Sequence, residues 1–299
     1  MRQLLLRGIA LAALTTCIGT AALAKGPASP GVAPQYDTTH VYVESGKVDA
    51  FVKSFLATFG GESTKHVVAT VTPTPSKTTS QLLLTPAGTV SLFGFQTPIP
   101  APFGTERTGY LVKDIDKAVE KARKSGAEIV VATFPDPIGR DAVIRWPGGV
   151  NMQLYWHTTT PHYQPLKTIP DNRVYLSPDR ANVFVKDFLA FSAGRIVSDE
   201  RKANGLEIGR PKDHFRRIRL TSAFGNIEVL VTDGHLPYPY GHEMTGYEVA
   251  DLKDTLTKAE TSGATILVQP VTVEGRQSAM VEFPGGYIAE IHQPLGAGK

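Results

Sequence analysis

Glu290 and His292 stand two residues apart in a run of strand-forming residues, and side chains two apart on a strand share a face. A carboxylate and an imidazole side by side are O and N donors of the kind that Zn, Ni, Fe or Mn accepts. His242 and His40 are further imidazoles on or beside strand-like segments. Arg107 and Arg173 cannot be metal ligands, but a guanidinium suits a carboxylate or another anion. Other chemistries fail on spacing. His242-Glu243 begins like a zinc-protease HExxH helix, but Gly246 stands where the second histidine must be. There is no GxSxG elbow, no GxxxxGK[ST] phosphate loop and no dinucleotide fingerprint after a strand. The basic run Lys212 to Arg219 is short and reads as the solvated face of a strand, and His66, His157, His162 and His214 read as surface residues.

The first 24 residues read as a secretory signal. Arg2 and Arg7 are followed by the apolar Leu4 to Ala13 stretch and by Ala22-Leu23-Ala24 before Lys25. The implied location is the periplasm or the outside of the cell. Cleavage there removes Cys17, the only cysteine, and with it any disulfide or thiolate chemistry. It also removes two arginines and no acid, so the formal charge of +3 becomes +1. That balance argues against a nucleic-acid partner. No later segment is long and apolar enough to span a membrane.

Residues 25–37 are rich in Pro, Gly and Ala and read as a flexible lead-in. Thr158 to Asp171 is a second such stretch and divides the chain into halves. The halves are alike. His40 to Phe59 matches Arg173 to Ser192, with Val41/Val174, Tyr42/Tyr175, Phe51/Phe184, Phe55/Phe188 and Leu56/Leu189 shared. Thr108-Gly109-Tyr110 returns as Thr245-Gly246-Tyr247, and Trp146-Pro147-Gly148-Gly149 as Phe283-Pro284-Gly285-Gly286. Within a half a second rhythm appears. A short β-branched strand at His40 to Val43 precedes a helix over Val48 to Phe59, with Phe51, Phe55 and Leu56 at helical spacing and Gly60-Gly61 ending it. Three strand-like runs follow, and the pattern restarts at Gly109. The chain therefore holds four βαβββ units, and a lone unit must bury its apolar sheet face against another. Two Pro-stiffened connectors, Thr97 to Phe103 and Gly234 to Tyr240, align without gaps. The second is aromatic, carries His235 and is read as a wall of a pocket.

Val112-Lys113-Asp114-Ile115-Asp116 before a helix ending in Ser-Gly-Ala, its copy at Val249 to Lys253, and Pro284-Gly285-Gly286 followed by Glu290 resemble the vicinal oxygen chelate superfamily of glyoxalases, bleomycin-resistance proteins and extradiol dioxygenases. The resemblance implies an α+β fold of two tandem glyoxalase-like domains, residues 38–157 and 172–295, each of two βαβββ units forming a curved mixed-sheet cup. It further implies one divalent metal (Zn, Ni, Fe or Mn) held by first and last strands, open to a small substrate with vicinal oxygens. On that pattern His40 and Glu290 occupy ligand positions, with Glu290 also the catalytic base. Gln153 replaces an expected Glu, Arg173 an expected His, and Arg107 and Met244 stand near the other expected histidines. His242 and His292 are the substitutes within reach. A complete set of His40, His242, Glu290 and His292 arises only if unit one pairs with unit four. Otherwise each half closes on itself with a broken set, and Glu290 pairs with Arg173 instead. Tyr110 and Tyr247 read first as packing residues, with Tyr247 the aromatic candidate for substrate contact beside Arg107 and Arg173. Two functions follow from the resemblance: a metal-dependent lyase, isomerase or dioxygenase, or a metal-free small-molecule binding protein of the same fold.

Overall fold

A computed structural model describes residue 31 and residues 33–296. The signal-like segment and Cys17 lie outside the described residues. Unit one runs β1 (Thr39–Tyr42), α1 (Val48–Phe59), β2 (Glu62–Ser63), β3 (Val67–Ala69), β4 (Thr78–Thr85) and β5 (Gly88–Phe95). Unit two is β6 (Thr108–Leu111), α2 (Ile115–Lys124), β7 (Glu128–Pro135), β8 (Gly139–Trp146) and β9 (Val150–His157). Unit three is β10 (Asp171–Leu176), α3 (Pro178–Ser192), β11 (Arg195–Asn204), β12 (His214–Ser222) and β13 (Gly225–Val231). Unit four is β14 (Met244–Glu248), α4 (Leu252–Thr261), β15 (Thr265–Val273), β16 (Arg276–Phe283) and β17 (Tyr287–Pro294). No helix of the described residues is long and apolar enough to cross a membrane.

Local chemistry explains the element ends. Asp114 and Asp251 cap α2 and α4, their side chains accepting from the amides of Lys117 at 3.0 Å and Asp254 at 2.9 Å. α3 starts with Pro178 in its first turn, where the missing N–H costs nothing. The Pro-Gly-Gly turns need both glycines: Gly148 and Gly149 have φ of 95° and 87°, Gly285 and Gly286 of 93° and 86°.

Units one and two form one sheet, in the order β2-β4-β5-β1-β6-β9-β8-β7, with β3 also on β4. Units three and four form the other, β11-β12-β13-β10-β14-β17-β16-β15. Each half therefore closes on itself, and the sheet does not join unit one to unit four. Those two units meet elsewhere. The helix-bearing face of unit one (Val41, Phe51, Phe55, Val90) shares a core with that of unit four (Tyr247, Leu256, Phe283, Ile291). Unit two (Tyr110, Ile115, Trp146, Leu154) shares one with unit three (Phe184, Phe188, Phe224, Val229). Aromatic rings interlock across both seams. Phe55 lies 5.2 Å from Phe283 and 5.6 Å from Tyr247, and Trp146 lies 5.3 Å from Phe191. The two cups thus face away from the shared cores.

Because each half completes the core of the other, denaturant should unfold the chain in one cooperative transition. Phe55→Ala, which opens the seam between units one and four, should cost about 3–5 kcal/mol. Urea unfolding followed by circular dichroism checks both. Two resolved transitions, one per half, would contradict the shared-core account.

Candidate functional site

Register sets the cups residue against residue. In the first sheet His40 on β1 lies beside Ser91 on β5, and Gly109 on β6 beside Gln153 on β9. In the second, Arg173 on β10 lies beside Glu228 on β13, and Gly246 on β14 beside Glu290 on β17. Alternation sends these side chains into the cups while their neighbours Val41, Tyr110, Val174 and Tyr247 enter the cores. The two cups are equivalent in position and opposite in chemistry.

The second cup is filled by ion pairs. Arg173 is 1% exposed and pairs with Glu228, with Glu207 at 3.6 Å and with Glu290 at 3.8 Å. Arg276 reaches Glu290 at 3.1 Å and both Glu207 and Glu228 at 3.2 Å. Arg217 is also 1% exposed and joins Glu207, Glu274 and Glu200, the last at 2.7 Å. Arg219 reaches Glu228 at 3.1 Å. His292 Nδ1 lies 2.7 Å from Glu290 Oε2. Burial alone would raise the Glu290 and Glu228 carboxyls. The surrounding guanidiniums, with His292 beside Glu290, reverse this and hold both at about 2. Burial opposes charge on His292, but the Glu290 carboxylate prevails and the imidazole titrates above its ordinary range.

The first cup is open. A cavity of about 170 Å³ is lined by His40, Gln153, Asp37, Asp136, Asp141 and Tyr155, with Tyr42, Phe93 and Phe95 as aromatic wall. His157 and Tyr163 stand at its edge, and no Lys or Arg lines it. Asp37 accepts from Ser91 Oγ at 2.6 Å and from the Tyr155 hydroxyl at 3.1 Å. The Asp141 carboxyl is held well above the ordinary carboxylate range, by burial first and then by repulsion from Asp136 and Asp37, while the Gln153 amide pulls the other way. The His40 ring lies over Gly109, where an added Cβ would fall 2.3 Å from Nε2. Its Nδ1 points to Glu106, 3.9 Å away, and has no hydrogen-bond partner. Glu106 in turn accepts from the Tyr42 hydroxyl.

The residues singled out from sequence are scattered by the fold. His40 lies in the first cup; Arg173, Glu290 and His292 lie in the second, inside the ion-pair network. His242 is exposed and, with Arg107, lines a third cavity between the domains. The four expected ligands do not converge, because unit one meets unit four only through their apolar faces. Tyr247 points away from either cup. It is fully buried, and its hydroxyl lies 3.0 Å from that of Tyr287. The run Lys212 to Arg219 is not a solvated face, since Arg217 is buried and Arg219 half-buried in the second cup. His157 lines the first cavity and is not a free surface residue. Sequence reasoning missed Asp37, Asp141, Glu228 and Arg276. The available signal was alternation: Phe215-Arg217-Arg219 against Ile218-Leu220, and Glu228 between Ile227 and Val229, place charges on one strand face.

A divalent metal does not fit either donor set. At Glu290 it would compete with the Arg276 and Arg173 guanidiniums for one carboxylate, which His292 also engages. In the first cup His40 faces the neutral Gln153, and among the described residues no three His, Cys, Asp or Glu side chains converge as a metal site.

No known protein-family profile matches the chain, and no curated protein sequence does. Solved structures do. A triple mutant of 4-hydroxymandelate synthase from Streptomyces coelicolor is similar at 14% identity and a TM-score of 0.59, over 89% of this chain and 94% of that one. The 2,3-dioxygenase LapB from Pseudomonas sp. KL28 is similar at 12% and 0.52, over 91% and 96%. A Mn(II)-bound glyoxalase from Novosphingobium aromaticivorans is similar at 13% and 0.50, over 88% and 83%. The chain has the vicinal oxygen chelate fold, in two tandem domains.

The network makes stability acid-sensitive. Glu228 and Glu290 titrate at about 2 in the folded chain against 4.5 unfolded. Their contribution is complete above pH 4.5 and is lost as pH falls towards 2. Urea midpoints measured between pH 6 and pH 2 should fall through that window. Arg173→Ala, which removes a buried cation shared by Glu207, Glu228 and Glu290 and leaves Arg276 and Arg219 to hold the excess negative charge, should cost about 3 kcal/mol at pH 7. A variant as stable as the parent at both pH values would contradict this.

Proposed function

We propose that the chain is a metal-independent binding protein for a small organic molecule, exported to the periplasm or beyond, with its site in the first cup. The observation that carries the reading is the contrast between the cups. Equivalent positions hold a saturated ion-pair network in one and an open, acid-lined, aromatic-walled cavity in the other. Three carboxyls without a Lys or Arg among the lining residues disfavour an anionic ligand. A neutral or cationic molecule with hydroxyl or amine groups suits it. Asp37, Asp141 and Gln153 offer hydrogen-bonding groups, and Tyr42, Phe93 and Phe95 take a flat apolar body or an ammonium. His40 lines the same cavity, its ring packed over Gly109.

The companion reading is the metal-dependent lyase, isomerase or dioxygenase that the fold's other members suggest, with a substrate of vicinal oxygens. Elemental analysis of the purified protein after incubation with Zn, Ni, Fe and Mn separates the two. Less than about 0.1 metal per chain is expected on the binding-protein reading, on the scale where a closed structural site would be nearly full. Near-stoichiometric metal lost in His40→Ala would overturn that reading. A thermal-shift screen should return amines and hydroxylated aromatics rather than carboxylates for this cup. Asp141→Ala should weaken the best of them about tenfold, the loss of one buried hydrogen bond.

A further inference from the structure

A cavity of about 280 Å³ lies between the two domains, outside both cups. Domain one contributes Tyr42 and Arg107, and domain two contributes Tyr238, Pro239, His242, Glu243, Met244, Tyr287 and Ile288. We propose that this cavity is a second binding site, for a small aromatic carboxylate anchored on the Arg107 guanidinium, with Glu243 among its lining residues.

The polar groups define the charge of the ligand. Arg107 is half-buried; Nη1 donates to the Gly104 carbonyl at 3.0 Å, which orients the guanidinium, and no carboxylate lies within ion-pair distance of it among the described residues. Its counterpart in the duplicated half is Met244, so the second half carries no equivalent charge. A half-buried guanidinium without an acid partner suits an anion, and its planar fork matches a carboxylate. Glu243 stands on the other side of the cavity and accepts from Asn172 Nδ2 at 3.0 Å. Burial raises its carboxyl to about 7, with Glu106 adding to the rise and Asn172 and Arg107 opposing it. The charged and titratable groups facing Glu243 are thus Arg107 and Glu106 from domain one and the neighbouring His242, with the buried Tyr110 hydroxyl also coupled to it. Protonated, Glu243 donates to a bound carboxylate; ionised, it repels one. The remaining lining is aromatic or apolar, and Tyr238 is 63% exposed at its mouth. The size suits a single ring and its carboxylate, at the lower end of small-molecule pockets. Tyr42 lines both this cavity and the first cup, but the first cup's acids select against the same ligand.

Benzoate is the probe, titrated into the full chain by calorimetry at pH 6 and pH 8, where its own charge is constant. Binding is expected at pH 6 and about tenfold weaker at pH 8, the limit being one proton per pH unit. Glu243→Gln should bind equally at both pH values. Arg107→Gln should lose binding at least tenfold at both, with its thermal unfolding unchanged as the check on folding. Asp141→Ala, in the first cup, should bind benzoate like the parent, which separates this site from the one proposed above. His242→Gln should keep the pH dependence. No benzoate binding up to about 10 mM, far weaker than specific sites show, would overturn the proposal. So would binding indifferent to Arg107→Gln, or a pH dependence that follows His242 in place of Glu243.

Discussion

Each of the four units has a sheet face that water would solvate poorly, and burying those faces crosswise is the constraint on which the molecule depends. Unit one covers unit four and unit two covers unit three, through Phe55, Phe283 and Tyr247 at one seam and Trp146, Phe188 and Phe224 at the other. Hydrogen bonding follows a different rule and joins one to two and three to four. The two pairings are compatible because a strand has two faces and two edges. The edges build the sheets, one face builds the cores, and the other face is left to line a cup.

That free face is where the duplicated halves diverged. The same four central strands present His40, Ser91, Gly109 and Gln153 in one cup and Arg173, Glu228, Gly246 and Glu290 in the other. Charges so deeply buried persist only when each meets its opposite, and the second cup satisfies this with four guanidiniums among Glu200, Glu207, Glu228, Glu274 and Glu290. Such a network holds the concave face together beside two apolar clusters, one around Phe215 and Leu230 and the other around Met244 and Met280, and its carboxylates are already engaged by guanidiniums. The first cup, with neutral Gln153 where the second has Glu290, never assembles that network and stays open.

The aromatic connector illustrates how a linker acquires a role from its surroundings. Gly234 to Tyr240 was read as a stiff, aromatic pocket wall, and Tyr238 and Pro239 do line a cavity. The cavity belongs to neither cup. It arises because the connector of domain two lies beside the ends of the central strands of domain one, next to Tyr42 at the end of β1 and Arg107 just before β6.

Local and repeated features were legible in the sequence because they depend on near neighbours. Helix α1 over Val48–Phe59, the Asp114 and Asp251 caps, the Gly-Gly turns and the fourfold βαβββ rhythm follow from spacing, φ angles and side chains a few residues apart. So does the face of each inward residue, since alternation told that His40, Arg173 and Glu290 share one side of their strands. Which inward residues meet was beyond it. Whether Glu290 faces His40 or Arg173 turns on whether sheet edges or apolar faces join units one and four. Both patterns are written by the same apolar residues, so the choice is made only when all four faces are buried at once. The sequence by itself determined the units and the side of each strand that carries chemistry. The tertiary structure alone decided that one cup closes on its own charges and the other remains open.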